Sequence, residues 1–277
     1  MTYLTTPNQF IQDQQGQRFA YREVGTGRGL PLVLLNHLSA TLDNWDPALI
    51  DPISQQRRVI VFNNRGVGFS DGKVPTTIEQ MVADCYAFIT AMQLTQFDLL
   101  GLSMGGFVAQ AFTLKYSSSV NHLILVGTGP QGDSEIAKVG RITTFDLIRA
   151  FLTHRDVKEY LFFTRTPQGK QAGKAFINRL NQREIVEDKA ITLAAYRRQL
   201  IAIKQYANDQ PANLAQINQP TLIVNGDHDR MVPVNGSYEL HERILNSQLK
   251  LYPDAGHMAL FQNPNDFAAL LAQFLNH

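Results

Sequence analysis

The stretch that decides the fold is residues 97–107, which read FDLLGLSMGGF. It begins with a largely apolar run of the kind found in strands that are covered on both faces. A helical pattern starts at Met104, so the Gly-x-Ser-x-Gly sequence predicts a tight strand-to-helix turn. Such a turn holds a serine in a strained position above the sheet edge, and the glycines let strand and helix pass closely. Ser103 is therefore a candidate nucleophile; the alternative is a buried serine in an ordinary turn.

Similar strand-like runs alternate with helix-like segments along most of the chain. The first run, residues 17–24, alternates between polar and apolar residues, the other runs contain few polar residues, and the longer segments have amphipathic spacing. The alternation of strand-like and helix-like segments predicts an α/β fold in which a mainly parallel sheet has helices on both faces. The predicted strands are residues 17–24, 31–35, 58–62, 97–100, 122–126 and 221–224, and the predicted helices are residues 77–94, 104–116, 234–245 and 264–274.

One long segment, residues 130–212, interrupts this alternation. It contains amphipathic helical patterns, including residues 145–152 and 191–203, but no convincing buried strand. We therefore predict a core domain made of residues 1–129 and 213–277. Residues 130–212 are predicted to be a helical cap (lid), inserted before the strand that carries the acid described below.

The predicted cap is basic, with 14 Lys and Arg against 9 Asp and Glu. A basic cap can raise the local concentration of substrates that carry a carboxylate. Arg141, Arg149, Arg197 and Arg198 are the residues expected to produce such a preference. The alternative is that these charges form an ordinary solvated helix surface.

A serine hydroxyl needs a base to act as a nucleophile, and His257 is the best candidate. It lies in a loop after a late strand-like run, whereas the other six histidines lie in less suitable places. An acid is expected between the serine and the histidine in the chain, because it must orient the imidazole and stabilise its charged form. The loop after the strand at residues 221–224 offers both Asp227 and Asp229, and composition does not separate them.

The order Ser, Asp, His resembles that of serine hydrolases of the α/β-hydrolase superfamily. The acid-loop pattern of that family, Gly-x-x-Asp-x-x-Val-Pro, matches residues 226–233, so the resemblance implies that Asp229 is the acid. Residues 63–70, NNRGVGFS, are similar to the family's Asp-x-Arg-Gly-x-Gly-x-Ser turn, with Asn63 in place of the aspartate. We interpret this turn as structural.

The resemblance also implies an oxyanion hole formed by the backbone N–H groups of Leu38 and Met104. The family usually has His-Gly-x after the apolar strand, whereas this chain has Asn36-His37-Leu38. His37 therefore replaces the usual glycine, and we expect it to border the pocket or to hydrogen-bond within the loop; a direct catalytic role is the alternative. Trp45 matches a tryptophan of the family and is also expected at the pocket.

Within the superfamily, the chain looks most like the 3-oxoadipate enol-lactonase and carboxylesterase group. This resemblance implies that a small-molecule carboxylic ester or lactone is hydrolysed through an acyl-enzyme intermediate. Alternatives on the same triad are a perhydrolase (cofactor-free haloperoxidase), an acyltransferase and a carbon–carbon bond hydrolase, although the last group usually has Asn in place of Leu102. A ligand receptor that retains the fold is the non-enzyme alternative.

Charge and composition narrow the class of protein further. The net charge of +1 gives no basic footprint for nucleic acid. No metal or organic cofactor is expected, because neither a metal-ligand spacing nor a glycine-rich phosphate loop is present. The sequence shows no signal peptide and no apolar run of membrane-spanning length, so we expect a cytoplasmic protein. The single cysteine, Cys85, is expected in the core, and the sequence leaves the oligomeric state open.

Overall fold

The centre of the molecule is an eight-stranded sheet, described by a computed structural model that covers residues 2–27, 29–183 and 185–276. Its strands are β1 (Gln9–Gln12), β2 (Arg18–Val24), β3 (Leu32–Leu35), β4 (Val59–Phe62), β5 (Phe97–Leu102), β6 (Val120–Val126), β7 (Thr221–Gly226) and β8 (Ser247–Tyr252). They lie in the order β1-β2-β4-β3-β5-β6-β7-β8. β2 pairs antiparallel with both β1 and β4, and the other neighbouring strands are parallel. The mainly parallel sheet predicted from the sequence is confirmed.

Hydrophobic residues cover both faces of this sheet. Strands β3, β4, β5 and β7 are buried along their whole length. Because successive side chains of a strand point to opposite faces, Val33 and Leu35 enter one hydrophobic cluster while Leu32 and Leu34 enter a second. This explains why the strand sequences are continuously apolar and do not alternate with polar residues.

Helices lie on both faces, as the sequence pattern predicts. In chain order they are α1 (Pro47–Ser54), α2 (Ile78–Ala91), α3 (Met104–Lys115), α4 (Val139–Thr153), α5 (Val157–Phe162), α6 (Pro167–Leu180), α7 (Leu193–Asn208), α8 (Val234–Arg243), α9 (Ala259–Gln262) and α10 (Pro264–Leu275). Apolar residues of α2, α3 and α8 belong to the first hydrophobic cluster, and those of α1 and α10 belong to the second. The sheet is therefore the middle layer of three.

The edge strand β1 and the helix α1 are among the elements that the sequence patterns do not predict. β1 has no buried residue, so it lacks the apolar run that marks the central strands. α1 contains a proline inside the helix, Pro52, although it begins with Pro47 after an Asp46 side chain that accepts a hydrogen bond from the Ala48 N–H. A proline inside a segment normally argues against a helix. The helix α1 forms nevertheless, because Asp46 caps its N-terminus and one of its faces is buried.

The chain between β6 and β7 contains helices α4 to α7 and a 3-10 helix at Ser134–Lys138, and no strand among its described residues. These helices lie within residues 130–212, the segment that the sequence predicts to be a cap. Its folding as a separate domain stays a prediction. We use the word cap below for residues 130–212.

Several ion pairs connect the cap to the core, and in two of them the carboxylate is fully buried. Arg179 of α6 donates from Nε and Nη2 to the two carboxylate oxygens of Asp46, at 2.8 and 2.6 Å. Arg230, in the loop after β7, donates from Nη2 to Oδ2 of Asp146 in α4, at 2.6 Å. The Asp46 and Asp146 side chains are fully buried. A buried carboxylate is costly unless it is paired, so both contacts hold the cap in a defined position.

A third connection accounts for the asparagine in the turn at residues 63–70. The Asn63 side-chain amide donates to Oδ2 of Asp188, a cap residue. Oδ1 of Asp188 accepts the Phe69 N–H at 2.9 Å. The usual aspartate at position 63 would place two carboxylates together, whereas an asparagine supplies a donor. The turn therefore has a structural role, as the sequence predicts.

The single cysteine lies in the core. Cys85 of α2 belongs to the first hydrophobic cluster and is 1% exposed. Burial raises the pKa of its thiol well above the ordinary value. Among the residues that the structure describes, no helix combines the length and the apolar character needed to cross a membrane.

Candidate active site

Ser103 sits between the last residue of β5 and the first residue of α3. Its backbone has φ 55° and ψ −116°, a conformation that non-glycine residues rarely adopt. A Cβ atom on Gly101 would lie 2.5 Å from the Gly105 carbonyl oxygen, and one on Gly105 would lie 2.2 Å from the Leu35 carbonyl oxygen. Only glycine fits at these two positions. The strained strand-to-helix turn predicted from the Gly-x-Ser-x-Gly sequence is thus present.

The structure brings Ser103, His257 and Asp229 together in one hydrogen-bonded row. His257 Nε2 lies 2.9 Å from Ser103 Oγ, and His257 Nδ1 lies 2.8 Å from Asp229 Oδ2. The carboxylate accepts the Nδ1 proton, so Nε2 is left to accept the serine proton. His257 is 1% exposed. This is the geometry required of a nucleophile, its base and the group that orients the base.

The choice between the two aspartates follows from their contacts. Asp227 is exposed, and its Oδ1 lies 2.5 Å from Nδ1 of the exposed His228. Asp229 is 7% exposed, and its second oxygen, Oδ1, accepts the N–H groups of Met231 and Val232 at 2.8 and 3.0 Å. Both oxygens of Asp229 are therefore engaged, which fixes the carboxylate against His257. The aspartate indicated by the family resemblance is the one in contact.

The two expected oxyanion donors lie beside the serine. Met104 begins α3, and Leu38 follows β3, whose last carbonyl lies against Gly105 of the same helix turn. Neither backbone N–H donates a backbone hydrogen bond to any residue in the described ranges. An unpaired N–H at a helix N-terminus, beside a second one, suits a developing negative charge.

His37 is buried at the same place, 5% exposed. Its Nδ1 lies 2.8 Å from the Leu38 carbonyl oxygen, and its ring packs edge-on against Phe162 with 5.1 Å between centroids. Burial lowers the pKa of His37 to about 3, the hydrogen bond to the Leu38 carbonyl opposes this shift, and the charge of Lys158 adds slightly to it. The ring is thus neutral near pH 7. The loop hydrogen bond expected from the sequence is present.

Ser103, His257, His37 and Leu38 open into a cavity of about 410 Å³ between the core and the cap. More than half of the residues that line the cavity come from the cap. Half of all the lining residues are apolar. In chain order, the lining residues are His37, Leu38, Ser39, Asn44, Ser103, Thr143, Leu147, Val157, Lys158, Leu161, Phe162, Ile191, Thr192, Leu193, Tyr196, Met231, His257 and Met258. This volume suits a small organic molecule.

Trp45 does not line this cavity, which corrects the expectation that it borders the pocket. Its side chain is 1% exposed and packs edge-on against Phe261, with 5.9 Å between ring centroids. The indole N–H donates to the Asn36 side-chain oxygen at 2.7 Å, and the Asn36 amide donates to the Phe62 carbonyl at 2.8 Å. Trp45 therefore supports the end of β3, which precedes the loop containing Leu38, from the side away from the cavity.

The basic residues singled out in the cap are also outside the cavity lining. Arg149 stacks on the Tyr160 ring at 4.2 Å, Arg198 donates to the Val74 carbonyl, and Arg141 lines a separate surface groove. Among the lining residues only Lys158 is a lysine or arginine, and it pairs with Asp156 at 2.8 Å. The overall charge of the cap is thus a poor guide to the charge of the site.

Sequence reasoning missed two cap residues that shape the site. Phe162 contacts His37, and its backbone carbonyl accepts the Met258 N–H at 3.1 Å. Gln199 of α7 accepts the Ser39 N–H at 2.9 Å, and Ser39 follows Leu38 with a φ of 67°. No local motif marks either residue, because their roles depend on how the cap packs on the core.

In the described ranges of the chain, no group of three or more His, Cys, Asp or Glu side chains is arranged to hold a metal ion.

A strained serine, a paired histidine and aspartate and two free amide donors on a parallel sheet define the serine-hydrolase type of site. The profile described as alpha/beta hydrolase fold matches residues 31–264, and the chain belongs to that family. The family resemblance and the fold expected from the sequence are confirmed.

Three similar proteins illustrate the range of the family. An alpha/beta hydrolase fold protein from Chitinophaga pinensis has 33% identity, with 99% of each chain covered and a TM-score of 0.93. A 2-hydroxy-6-oxo-6-(2'-aminophenyl)hexa-2,4-dienoic acid hydrolase from Metapseudomonas resinovorans is 27% identical, over 92% of this chain and 87% of its own. A 2-hydroxy-6-oxononadienedioate/2-hydroxy-6-oxononatrienedioate hydrolase from Escherichia coli (strain K12) is 30% identical, over 82% and 79%.

Proposed function

We propose that the protein hydrolyses a small carboxylic ester or lactone at Ser103. The observation that carries this proposal is the hydrogen-bonded row Ser103–His257–Asp229 at the wall of a largely apolar cavity. The row supplies a nucleophile, a base and an orienting acid, which together are the requirements of acyl transfer. Membership of the alpha/beta hydrolase family supports the same reaction class.

Acylation begins when His257 Nε2 takes the proton from Ser103 Oγ. The serine oxygen attacks the carbonyl carbon, and the carbonyl oxygen becomes negatively charged. The N–H groups of Leu38 and Met104 are placed to donate to that oxygen, and one such donor typically lowers the barrier by about 3 kcal/mol. Asp229 stabilises the charged imidazole formed in this step.

The intermediate collapses when the bond to the leaving oxygen breaks. The proton on His257 Nε2 goes to that oxygen, so an alcohol departs, or the ring of a lactone opens. Water then replaces the alcohol: His257 takes its proton, the hydroxide attacks the acyl carbon, and Ser103 leaves with the proton restored. The products are a carboxylic acid and an alcohol, or a single hydroxy acid from a lactone.

Hydrolysis of a carbon–carbon bond beside a ketone is a second candidate, because two of the relatives are named as hydrolases of 2-hydroxy-6-oxo acids. The same nucleophile, base and oxyanion donors serve that reaction. Against it stands Leu102, a 0% exposed residue in the second hydrophobic cluster, where that group usually has asparagine. This is why we place ester or lactone hydrolysis first.

The experiment compares wild-type protein and Ser103→Ala on p-nitrophenyl esters of short and long acids, and on a 2-hydroxy-6-oxo dienoic acid. We expect turnover of the short ester with a burst of one p-nitrophenol per chain, and a kcat at least about 10⁴-fold lower in Ser103→Ala. A matched control is Ser54→Ala, since that hydroxyl bonds only the Asp51 carbonyl on α1, away from the cavity.

Each outcome separates the candidates. Ester turnover that survives in Ser103→Ala would refute the serine mechanism. Turnover of the dienoic acid in preference to every ester, again lost in Ser103→Ala, would establish the second candidate in place of the first. Labelling of Ser103 by a fluorophosphonate, read by mass spectrometry, tests the activated serine independently of the substrate.

A further inference from the structure

One polar atom at the cavity has no partner. His37 Nε2 is buried and forms no hydrogen bond with any described residue. His37 lines the same cavity as Ser103 and His257. Buried polar atoms are nearly always hydrogen-bonded, and an exception in a binding cavity calls for an explanation. The proposed ester hydrolysis makes no use of this atom.

Whether Nε2 of His37 donates or accepts a hydrogen bond follows from the protonation of the other ring nitrogen, Nδ1. Nδ1 lies 2.8 Å from the Leu38 carbonyl oxygen, which can only accept a hydrogen bond, so Nδ1 carries a proton. A neutral imidazole has one N–H, and burial keeps this ring neutral. Nε2 is therefore an acceptor, and the missing partner is a donor.

The position of the acceptor restricts where the donor belongs on a substrate. The His37 and His257 rings both border Phe162, at centroid distances of 5.1 and 6.4 Å. His37 also directly precedes Leu38, whose N–H is the expected oxyanion donor. A group that meets Nε2 thus lies close to the carbonyl that Ser103 attacks.

We propose that His37 is a specificity residue whose Nε2 accepts a hydrogen bond from a hydroxyl or N–H group of the substrate, an inference that rests on the proposed ester or lactone hydrolysis. The substrate class is then an ester or lactone with a donor within two or three bonds of the scissile carbonyl. A substrate that fills the cavity without such a donor leaves Nε2 unpaired, whereas one that carries the donor satisfies it and gains affinity in the transition state.

The test uses matched substrates that differ only in the donor. These are p-nitrophenyl 2-hydroxypropanoate and 2-fluoropropanoate, and the 3-hydroxy and 3-fluoro pair, each as pure enantiomers where chiral. Fluorine resembles the hydroxyl in size and in its electron-withdrawing effect but donates no hydrogen bond. The measured quantity is the hydroxy-to-fluoro ratio of kcat/KM in wild type, in His37→Phe and in His37→Gln.

His37→Phe removes the acceptor and keeps a ring against Phe162, and His37→Gln keeps a neutral hydrogen-bonding group. We expect the ratio for at least one pair to fall roughly tenfold or more in His37→Phe, with partial recovery in His37→Gln. The comparison variant is Thr144→Val, an exposed position of α4 outside the cavity lining, whose hydroxyl bonds the Gly140 carbonyl at 2.7 Å. It should keep the wild-type ratio.

Equal ratios in wild type and His37→Phe for both pairs would overturn the proposal, as would a loss found in Thr144→Val and not in His37→Phe. Binding of the same esters to Ser103→Ala, with and without His37→Phe, tests the hydrogen bond without turnover. Preferential binding of the hydroxy ester that depends on His37 would support the inference even if no ester were hydrolysed. Equal binding would refute it even if hydrolysis at Ser103 were established.

Discussion

The buried His37 side chain is uncharged near neutral pH in the folded protein, and this makes the stability of the protein depend on pH. The imidazole ordinarily titrates near pH 6.5, but burial lowers the pKa of His37 to about 3, and the nearby positive charge of Lys158 acts in the same direction. Below pH 6.5 the unfolded chain binds a proton at His37 that the folded chain does not bind. The free energy of unfolding must therefore fall as the pH falls from 6.5 towards 3.

The prediction concerns the difference between wild type and His37→Phe, which cannot bind this proton. Between pH 7 and pH 5, wild type should lose about 2 kcal/mol more of its free energy of unfolding than His37→Phe. Urea unfolding at several pH values measures both proteins. Parallel curves for the two would show that His37 is protonated in the native state or exposed to solvent.

At the scale of single residues, the sequence predicts those parts of the candidate site that depend only on a local motif and on the order of Ser, Asp and His along the chain. Ser103, His257 and the loop containing Asp229 follow from a motif and from the sequence of roles along the chain. Trp45 was wrongly expected at the pocket, because a match to a family position does not say which side of the loop a side chain takes. Its indole is bound to Asn36 behind the loop, a contact that no spacing reveals.

The Gln199 side chain of helix α7, in the cap, contacts the loop that contains Leu38. Gln199 is 0% exposed, and its Oε1 accepts the Ser39 N–H next to Leu38. Gln199→Met keeps the length of the side chain and removes the acceptor, so the strained loop loses its support. We expect kcat to fall about tenfold or more, with KM little changed, because small displacements of a donor mainly affect the transition state.

Steady-state kinetics on the short-chain ester check this expectation. Gln205→Met, an exposed position on the same helix, is the matched control and should behave as wild type. An increase in KM at unchanged kcat would instead assign Gln199 to substrate binding. A loss of unfolding free energy without any kinetic change would make its role purely structural.

The sequence predicts the helices and strands whose hydrophobic periodicity is strong, and it does not predict those whose periodicity is weak. The central strands and α2, α3, α8 and α10 are long or fully buried, so their hydrophobic period is readable. β1 is only half-buried, and α1 is short and contains Pro52. Their formation depends on pairing with β2 and packing on α10, which are contacts between distant parts of the chain.

The assembled molecule depends on the ion pairs that join the cap to the core. Arg179→Met would leave the fully buried Asp46 carboxylate without its cationic partner. Breaking a buried pair on one side typically costs 3–5 kcal/mol, and because Arg179 is about a quarter exposed, we expect about 3 kcal/mol. Urea unfolding at pH 7 measures this loss.

Two further variants make that measurement specific. Arg179→Met combined with Asp46→Ser removes both charges and retains a side chain that can cap α1, so it should recover much of the lost free energy of unfolding. Arg165→Met, at an exposed cap position, should change stability by less than about 0.5 kcal/mol. A double variant as unstable as Arg179→Met alone would contradict the role assigned to the pair.

The placement of the cap over the sheet is the part that the sequence did not supply. Amphipathic spacing identifies the cap helices but not which of their residues face Ser103. For this reason the predicted arginines fall outside the cavity, while Phe162, Gln199 and Lys158 were not anticipated. These positions are fixed by contacts such as Arg179–Asp46 and Arg230–Asp146, whose partners lie more than eighty residues apart in the chain.

The burial of Cys85 has a practical consequence. Its thiol is inaccessible and, with a raised pKa, has little thiolate at neutral pH. Maleimide dyes and nitroxide spin labels therefore leave the native chain unmodified, without any need to remove a cysteine first. One cysteine introduced on the exposed surface of the cap and one on the core would then suffice to follow the distance between them in solution, by fluorescence transfer or by paramagnetic resonance.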